Sequence, residues 1–336
     1  MDNAPFTSHE IREKSSVSFV KREIHNIAIS ESFGVSRTGI IDIAVSELTS
    51  NIIKHAAKGE MLFRFSKENN CRFFEMICLD SGPGIKNVSH SMKDGVSTTK
   101  TLGQGLGALE RLSDIFQIYS IVKWGTVCYC KIYTAGHIPS VQPPGIRVRA
   151  LNVSKPGQTV SGDGFQIVYK SNYTKIFMGD GLGHGKEAYD AVQTAITNFQ
   201  RCTGNDPAEV LKFIHEPAKK TRGLVGAAVV ADHVSKKWRI CGIGNIDTRL
   251  SDGILTRKYI SHNGIIGSNF PVTLINHEAG LEKNQRLIMS SDGIKVGWEL
   301  SQFPSILRYD PLMLAAVIYK DNARKNDDMS ILIAKT

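Results

Sequence analysis

The strongest constraint on how this chain can fold is the segment at residues 135–145, AGHIPSVQPPG, which holds three prolines and two glycines in eleven positions. Proline fixes φ and lacks a backbone N–H, so this segment cannot continue a helix or a central strand. The 336 residues are also enough for two domains of ordinary size. We therefore predict a first domain at residues 1–134, a linker at 135–146 and a second domain at 147–336.

The composition predicts a packed globular protein whose positive charge is compatible with acidic partners but is more simply a solvated surface. Hydrophobic residues make up 41% of the chain and charged residues 22%, which is typical of domains with a buried core. The formal charge of +9 suits a nucleotide or a phosphoprotein. The basic residues are scattered, no run reaches five, and neither helix-turn-helix nor zinc-finger spacing occurs. A nucleic-acid partner is therefore not predicted.

The sequence does not predict membrane insertion or secretion. The first ten residues are polar, and the longest apolar stretch, at residues 312–319, is far too short to span a bilayer. The six cysteines form no CxxC pair, and Cys128 and Cys130 alternate along a strand-like run. This spacing favours buried, reduced thiols over a zinc site. We expect a soluble, cytoplasmic protein with no membrane partner.

The first domain has the pattern of an α/β sandwich, for which we predict a mixed sheet. Apolar residues recur at helical spacing over residues 36–57, with Ser36 as the predicted N-cap. The other predicted elements are a helix at 106–116, after a glycine-rich loop, and strands at 60–66, 72–79, 117–123 and 126–133.

Strands dominate the second domain. The apolar pattern predicts them at residues 147–153, 164–170, 174–178, 226–232, 238–243, 286–290 and 330–334. Helices are predicted at residues 186–200, 207–219 and 311–319.

One face of the helix at 36–57 carries Glu47, Asn51 and His55, which are four residues apart. The amide oxygen of Asn51 can ligate a hard cation, and Glu47 can deprotonate an attacking hydroxyl. Such a polar set is more often a solvated helix face. Its interpretation therefore depends on the motifs that follow.

Two glycine-containing motifs follow the helix. In LDSGPGI, Asp80 can accept a hydrogen bond from an exocyclic amine, and Gly82 and Gly84 allow a flat ring to approach the backbone. The second motif, LGQGLG at residues 102–107, precedes a helix whose free amides can bind phosphate. Either motif alone could be a simple turn. The three motifs in this order indicate a site for a nucleoside triphosphate with magnesium.

Residues 15–133 resemble the GHKL ATPase superfamily, and within it the small RsbT-type switch kinases and the related anti-sigma factor kinases. The resemblance extends to a short lid at residues 92–98. It implies ATP and Mg²⁺ as cofactors, with Asn51 as the magnesium ligand, Asp80 as the reader of adenine and Glu47 as the catalytic base. The residues it implies in nucleotide binding are Gly82, Gly84, Gly103, Gly105, Leu106, Gly107 and Thr126.

The second domain carries four aspartates, in the motifs SGDG, GDGLGHG, SSDG and NDDMS: Asp163, Asp180, Asp292 and Asp327. Each lies at the end of an apolar strand or in the adjoining turn. A single Asp-Gly pair is a turn by default. An ordered set of four predicts an oxygen-ligand site for two Mg²⁺ or Mn²⁺ ions, which can neutralise a phosphate ester and activate water.

Residues 147–336 resemble the PPM-type serine/threonine phosphatases, in the SpoIIE-like branch and particularly the RsbX-type enzymes. The resemblance implies an α-β-β-α sandwich that binds two Mn²⁺ or Mg²⁺ ions. Asp180 and Asp292 are the implied catalytic residues. The implied metal ligands are Asp163, Asp180, the Gly181 carbonyl, Asp292 and Asp327.

Several neighbouring residues have less defined roles. Asp328 ranks second as a ligand, and His184 suits a supporting role better than that of a general acid. The residues after SGDG lack the arginine with which some relatives hold the substrate phosphate. Lys155, Lys186 and His184 are the candidates nearby in sequence.

Two functions are compatible with these motifs. In the first, the chain is a bifunctional regulator of a stressosome-type partner-switching pathway. Its first domain phosphorylates a STAS-domain antagonist or scaffold protein, and its second domain dephosphorylates the phosphorylated form. In the second, the first domain is an ATP-dependent binding module of the anti-sigma type, and only the phosphatase is catalytic. The presence of Glu47 favours the kinase. A scaffold without activity would require the loss of residues that are all present.

Overall fold

The computed structural model describes residues 4–56, 58–68, 70–92, 105–134 and 145–336. The chain divides into two compact units, whose described parts are residues 4–134 and residues 145–336. Most of the predicted linker, residues 135–144, lies outside the described residues. The exact domain boundaries therefore stay a prediction.

The first unit is built on one five-stranded antiparallel sheet. Its strand order is β1-β2-β3-β5-β4. Alternate strand residues, such as Phe63 and Met76, pack against the apolar stripes of two long helices. In chain order the elements are β1 (Thr7–Ile11), α1 (Lys14–Ser30), α2 (Val35–His55), β2 (Gly59–Glu68), β3 (Cys71–Asp80), α3 (Val88–Ser91), α4 (Gly105–Leu112), β4 (Ile115–Ile121) and β5 (Gly125–Tyr133).

The prediction of a mixed sheet in this unit was wrong, because no described neighbouring strands run parallel. Tight turns join β2 to β3 and β4 to β5, with Asn70 and Lys123 in the left-handed conformation. Such short connections require antiparallel pairing. The helical connection from β3 leads to β4 at the sheet edge, where β4 pairs with β5 alone.

Three other details of the first unit differ from the predictions. The N-cap of α2 is Gly34 rather than Ser36, which lies in the first turn. The helix predicted at 106–116 ends at Leu112, because the residues from Ile115 onward pair with β5. Helix α1 was not predicted, because its serine-rich start hides an apolar stripe. Its buried residues are Val20, Ile24 and Ala28.

The second unit is a four-layer α-β-β-α sandwich, as predicted. Its elements are β6 (Arg147–Val153), β7 (Asp163–Tyr169), β8 (Tyr173–Gly181), α5 (Lys186–Arg201), α6 (Pro207–Ala218), β9 (Leu224–Asp232), β10 (Lys237–Ile243), β11 (Asp247–Ser251), β12 (Thr256–Tyr259), β13 (His277–Gly280), β14 (Arg286–Ser290), α7 (Pro311–Asn322) and β15 (Met329–Lys335). Two short 3₁₀ turns, Leu300–Gln302 and Ile306–Arg308, precede α7.

The two antiparallel sheets of this unit have the orders β13-β10-β9-β8-β7 and β12-β11-β14-β15-β6. Apolar side chains from both sheets, including Phe165, Met178 and Leu332, form the core between them. Helices α5 and α6 pack on the outer face of the first sheet, and α7 packs on the second. Strands β6 and β14 have the predicted bounds, whereas β11, β12 and β13 were not predicted.

All six cysteines are free, and four of them are buried, as predicted for structural thiols. Cys78 and Cys128 lie directly opposite each other on β3 and β5, and Cys130 follows on the same face. Burial raises the pKa of Cys78 and Cys128, and it raises the pKa of Cys130 to about 12. Cys241 is buried in the second unit, where burial raises its pKa to about 12.

The longest helix described, α2, has 21 residues and an apolar stripe that faces the sheet. Its opposite face is polar and carries Glu47 and Asn51. Among the described residues, no helix combines the length and the apolar composition needed to cross a bilayer.

Candidate functional site

Helix α2 places Glu47 beside the start of α4. A Cβ atom built on Gly105, the first residue of α4, would lie 3.2 Å from Oε2 of Glu47. Asn51 is one turn further along the same face, and both side chains are half-buried. His55 follows after another turn and is exposed. The polar face of α2 that the sequence analysis identified therefore borders the described end of the glycine-rich motif.

The far end of α2 touches the turn that follows Asp80. A Cβ atom on Gly82 would lie 3.1 Å from the carbonyl oxygen of His55. The Asp80 carboxylate accepts a hydrogen bond from the Gly82 N–H at 2.8 Å. Asp80 is directly opposite Thr126 in the β3–β5 ladder, so these two predicted residues are neighbours. One helix therefore connects the surroundings of Glu47 with those of Asp80.

The Asp80 turn is held by close backbone approaches that only glycine permits. Gly84 has a φ of +74°, and a Cβ atom there would lie 2.1 Å from the Ile121 carbonyl oxygen. Gly125, outside the predicted set, has a φ of +118°, and its Cβ would lie 2.0 Å from the Asp80 carbonyl oxygen. In the structure, the absence of a side chain at Gly84 allows the end of β4 to approach. The sequence analysis had assigned the same space to the flat ring of a nucleotide base.

A serine completes the surroundings of Thr126. The Ser120 hydroxyl accepts a hydrogen bond from the Ile85 N–H at 2.8 Å and lies 3.0 Å from the Thr126 hydroxyl. Thr126 itself is buried. Ser120 was not among the predicted site residues, since nothing in its sequence neighbourhood marks it.

The glycine-rich motif is described only from Gly105 onward. Gly107 is buried in α4, and Leu106 packs against the core of the unit. Gly103 and all but the first residue of the predicted lid at 92–98 lie outside the described residues. Their predicted roles in phosphate binding stay predictions.

In the second unit, Asp163 and Asp180 face each other across neighbouring strands. They are direct partners in the antiparallel β7–β8 ladder. The Asp163 side chain is buried, and its Oδ2 accepts a hydrogen bond from the Ser291 hydroxyl at 2.6 Å. Its Oδ1 is buried without a hydrogen-bond partner in the described parts of the chain. Ser291 directly precedes Asp292, so this bond ties the third aspartate to the first two.

The turns that carry Asp292 and Asp327 are packed together. The Ser291 N–H donates to the Ser330 carbonyl at 3.1 Å. A Cβ atom on Gly293 would lie 2.0 Å from the Asp328 carbonyl oxygen, so only glycine fits there. Asp292 accepts a hydrogen bond from the Asn245 side chain at 2.9 Å. Strand pairing, the Ser291 hydrogen bond and this close packing thus link the turns of Asp292 and Asp327 to the pair of Asp163 and Asp180.

Asp328 has both carboxylate oxygens engaged by backbone N–H groups. Oδ1 accepts from Lys155 at 2.8 Å and Oδ2 accepts from Gly162 at 2.9 Å. The side chain is buried. Asp328 therefore fixes the segment between β6 and β7 against the site, while Oδ1 of Asp327 beside it accepts a hydrogen bond from the Asp328 N–H at 2.9 Å.

Gly181 lies where only a glycine can pass. A Cβ atom there would lie 2.4 Å from the Ala188 carbonyl oxygen, because α5 crosses close to the end of β8. The Gly181 N–H donates to the Gly162 carbonyl at 3.0 Å. The predicted role of the Gly181 carbonyl as a ligand stays a prediction.

The five carboxylates, here called the aspartate cluster, act on one another electrostatically. Burial is the largest effect on Asp180 and, with the charges of the other four, raises its pKa to about 10. Burial raises the pKa of Asp163 to about 8, although the Ser291 hydrogen bond lowers it. The members of the cluster are Asp163, Asp180, Asp292, Asp327 and Asp328.

The aspartate cluster fits divalent cations by the chemistry of its donors. Carboxylate oxygens are the ligands that Mg²⁺ and Mn²⁺ prefer, and the unpartnered Oδ1 of Asp163 is a buried acceptor. Within the described ranges, no three His, Cys, Asp or Glu side chains already converge on one point that could hold an ion. Ionised carboxylates that are held close repel one another, and a bound divalent cation would offset that repulsion.

The three phosphate-binding candidates from the sequence are placed less favourably. Lys186 forms an ion pair with Asp190 on its own helix. His184 is exposed in the turn before α5. Lys155 contributes its backbone N–H to Asp328.

Comparisons with known proteins agree with both units. Residues 12–128 match the histidine kinase-like ATPase domain family. The serine/threonine-protein kinase RsbT of Bacillus subtilis (strain 168) is 36% identical over 101 residues, which cover 30% of this chain and 76% of RsbT. The phosphoserine phosphatase RsbX of the same organism is 20% identical over 165 residues, which cover 45% of this chain and 76% of RsbX.

Solved structures are similar in fold. The crystal structure of RsbX in complex with magnesium superposes with a TM-score of 0.52 at 18% identity, covering 58% of this chain and 96% of that one. A chain from a study of the bacterial stressosome as a modular system superposes with a TM-score of 0.53 at 23% identity, covering 57% of this chain and all of that one.

Fold and motifs together define the class: an ATPase-type α/β sandwich followed by a sandwich with the fold of PP2C-type phosphatases. Through its N-terminal unit the chain belongs to the histidine kinase-like ATPase family, in the branch that includes RsbT.

Proposed function

We propose that the chain is a bifunctional regulator of a stressosome-type partner-switching pathway. Its first unit would use Mg²⁺ and ATP to phosphorylate a serine or threonine of a STAS-domain protein. Its second unit would hydrolyse the phosphoserine or phosphothreonine of the same or a related protein. The observation that carries the proposal is the presence, in one chain, of an RsbT-like unit and of five mutually interacting aspartates on a phosphatase fold.

In the second unit, the aspartate cluster would hold two Mn²⁺ or Mg²⁺ ions. Bound there, such ions supply charge neutralisation and a water molecule that is nucleophilic near neutral pH. Asp163, Asp180, Asp292 and Asp327 would be the ligands, with the Gly181 carbonyl. The hydrogen bond from Ser291 would orient Asp163, and that from Asn245 would orient Asp292. Asp328 would hold the neighbouring loop in place through its two backbone hydrogen bonds.

In the first unit, Asn51 would bind the magnesium of Mg–ATP, and Asp80 with Thr126 would contact adenine. The α4 start and the glycines before it would hold the phosphates. Glu47 would accept the proton of the substrate hydroxyl as that oxygen attacks the terminal phosphate. Its position beside Gly105 supports this role, because a base must lie close to the phosphates.

The second candidate function keeps the phosphatase but makes the first unit an ATP-dependent binding module. The presence of Glu47 does not distinguish a kinase from a binding module, because a binding module can retain the same residue. The difference lies in whether phosphate is transferred to the bound partner.

The test uses the full chain, purified and incubated with STAS-domain proteins. With Mg²⁺ and ATP, the wild type should phosphorylate a STAS protein, and Glu47→Ala should bind ATP equally well but transfer no phosphate. With Mn²⁺, the wild type should remove that phosphate, and Asp180→Asn should not. Asp190→Asn, on the exposed side of α5, is the matched control and should retain both activities.

The outcomes separate the two functions. ATP-dependent binding of the partner without transfer by the wild type would favour the binding module. Hydrolysis retained by Asp180→Asn would refute the assignment of Asp180 as a metal ligand, and absence of hydrolysis by the wild type would refute the phosphatase function.

A further inference from the structure

An arginine that the proposed mechanism does not use, Arg324, is fixed beside Asp292. Its backbone N–H donates to the Gly293 carbonyl at 2.9 Å. Ala323 and Ile294 form an isolated antiparallel bridge. The residues that follow α7 are thereby held alongside the residues that follow Asp292. In the sequence, Arg324 is only three residues before Asp327. In the fold, its backbone lies beside the residue that follows Asp292.

The Arg324 side chain is exposed, and the backbone hydrogen bond to Gly293 places it on the side of the site where Asp292 lies. In the parts of the chain that the structure describes, the guanidinium forms no ion pair at contact distance. It therefore keeps its N–H donors available for a ligand at the mouth of the site.

Two other cations near the site, Arg222 and Lys186, are already engaged. Arg222 pairs with Glu187 at 3.2 Å. Its guanidinium also packs on the turn at Gly183, with Nη1 3.1 Å from the position of a Cβ there. Lys186 pairs with Asp190. Arg324 differs from both in having a fixed backbone and an uncommitted charge.

We propose that Arg324 binds the phosphoryl oxygens of the phosphorylated substrate, a role that rests on the proposed phosphatase function. A guanidinium presents two parallel N–H donors that match two phosphate oxygens. The carboxylates of the aspartate cluster lie around the proposed metal site and repel an incoming phosphate dianion. Arg324 offsets that repulsion at the point where the dianion enters.

The test uses the full chain loaded with Mn²⁺ and inorganic phosphate as the probe, measured by calorimetry and as inhibition of phosphopeptide hydrolysis. Arg324→Gln should weaken phosphate binding and raise KM for the phosphopeptide by about tenfold to a hundredfold, the range for loss of a charge-assisted hydrogen bond. Arg324→Lys keeps the positive charge but loses the two parallel N–H donors. Its phosphate affinity and KM should therefore lie between those of the wild type and those of Arg324→Gln. Arg222→Gln is the matched control and should change both quantities by less than about threefold.

Mn²⁺ titration separates contact with phosphate from an effect on Asp292. The proposal requires unchanged Mn²⁺ affinity in Arg324→Gln. It is overturned by unchanged phosphate affinity in that variant, by a larger loss in Arg222→Gln, or by a change confined to Mn²⁺ affinity. Phosphate binding that depends on Arg324 in a wild type that hydrolyses no phosphopeptide would support the anion contact and refute the phosphatase function instead.

Discussion

In the first unit, one helix, α2, links the candidate nucleotide-binding residues. Glu47 borders the start of α4, and the end of α2 touches the turn after Asp80. In the second unit, the five aspartates come from four different strand ends or turns, and β7, β8, β14 and β15 must all pair before the cluster exists. The first arrangement depends on one helix and its immediate contacts. The second depends on the assembly of two whole sheets.

The two sites also differ in how much free energy is needed to hold their polar groups in place. The α2 face carries a carboxylate and an amide that are half-buried and close to solvent. The aspartate cluster concentrates carboxyl groups that are buried or half-buried, and the pKa of Asp180 is raised to about 10. The surrounding sandwich must supply the stability that keeps such groups together. A divalent ion bound by the folded state would add to that stability.

The largest expected effect comes from comparing Asp292→Asn with Asn51→Ala. Asp292→Asn should lower Mn²⁺-dependent hydrolysis of a phosphoserine peptide by more than about a hundredfold. Loss of a residue that only supports a metal ligand can already cost about a hundredfold, and Asp292 is itself a proposed ligand. Its Mg–ATP affinity, measured by calorimetry, should be unchanged. Asn51→Ala should show the opposite pattern, with ATP affinity lost and hydrolysis intact. If either variant lost both properties, the two sites would not be independent.

The next effect concerns the backbone around Asp80. Gly125→Ala should destabilise the first unit by about 2–4 kcal/mol, because the residue has a φ of +118° and its Cβ would meet the Asp80 carbonyl. Gly39→Ala, inside α2 with open space around it, is the matched control and should stabilise by about 0.5–1 kcal/mol. Urea unfolding followed by circular dichroism measures both. Equal stability of the two variants would mean that the close approach is not a constraint.

The smallest effect separates two adjacent aspartates. Asp328→Asn should cost about 1–2 kcal/mol of stability, because an amide nitrogen replaces one oxygen that accepts a backbone N–H. Its Mn²⁺ affinity should change little. Asp327→Asn should leave stability nearly unchanged and weaken Mn²⁺ binding. The reverse result would identify Asp328 as the ligand.

The sequence predicted the elements that obey simple periodicity. The apolar runs of β6 and β14 set their bounds, and three Asp-Gly motifs mark Asp163, Asp180 and Asp292, which strand pairing and the Ser291 hydrogen bond link in the structure. Helix α2 was recognised from its stripe, although its N-cap was placed two residues late. These features depend on residues that are close together in the chain.

The remaining features depend on pairing between distant segments. Strand β11 was missed because Asp247 and Arg249, which look exposed, are buried as an ion pair at 2.6 Å. Ser291 lies in the SSDG motif but had no predicted role, and Asn245 and Arg324 lie in no motif. Asn245 is in the turn between β10 and β11, Ser291 follows β14 and Arg324 follows α7, so only the folded chain brings the three together.

The buried thiols give each unit its own chemical reporter. Cys78, Cys128 and Cys130 lie in the first unit, and Cys241 lies in the second. Because folding keeps these thiols protonated and away from solvent, an alkylating reagent reaches them only when the surrounding unit opens. Pulsed alkylation read by peptide mass spectrometry therefore distinguishes the opening of one half from the opening of the other in the intact chain, even where a melting curve merges them.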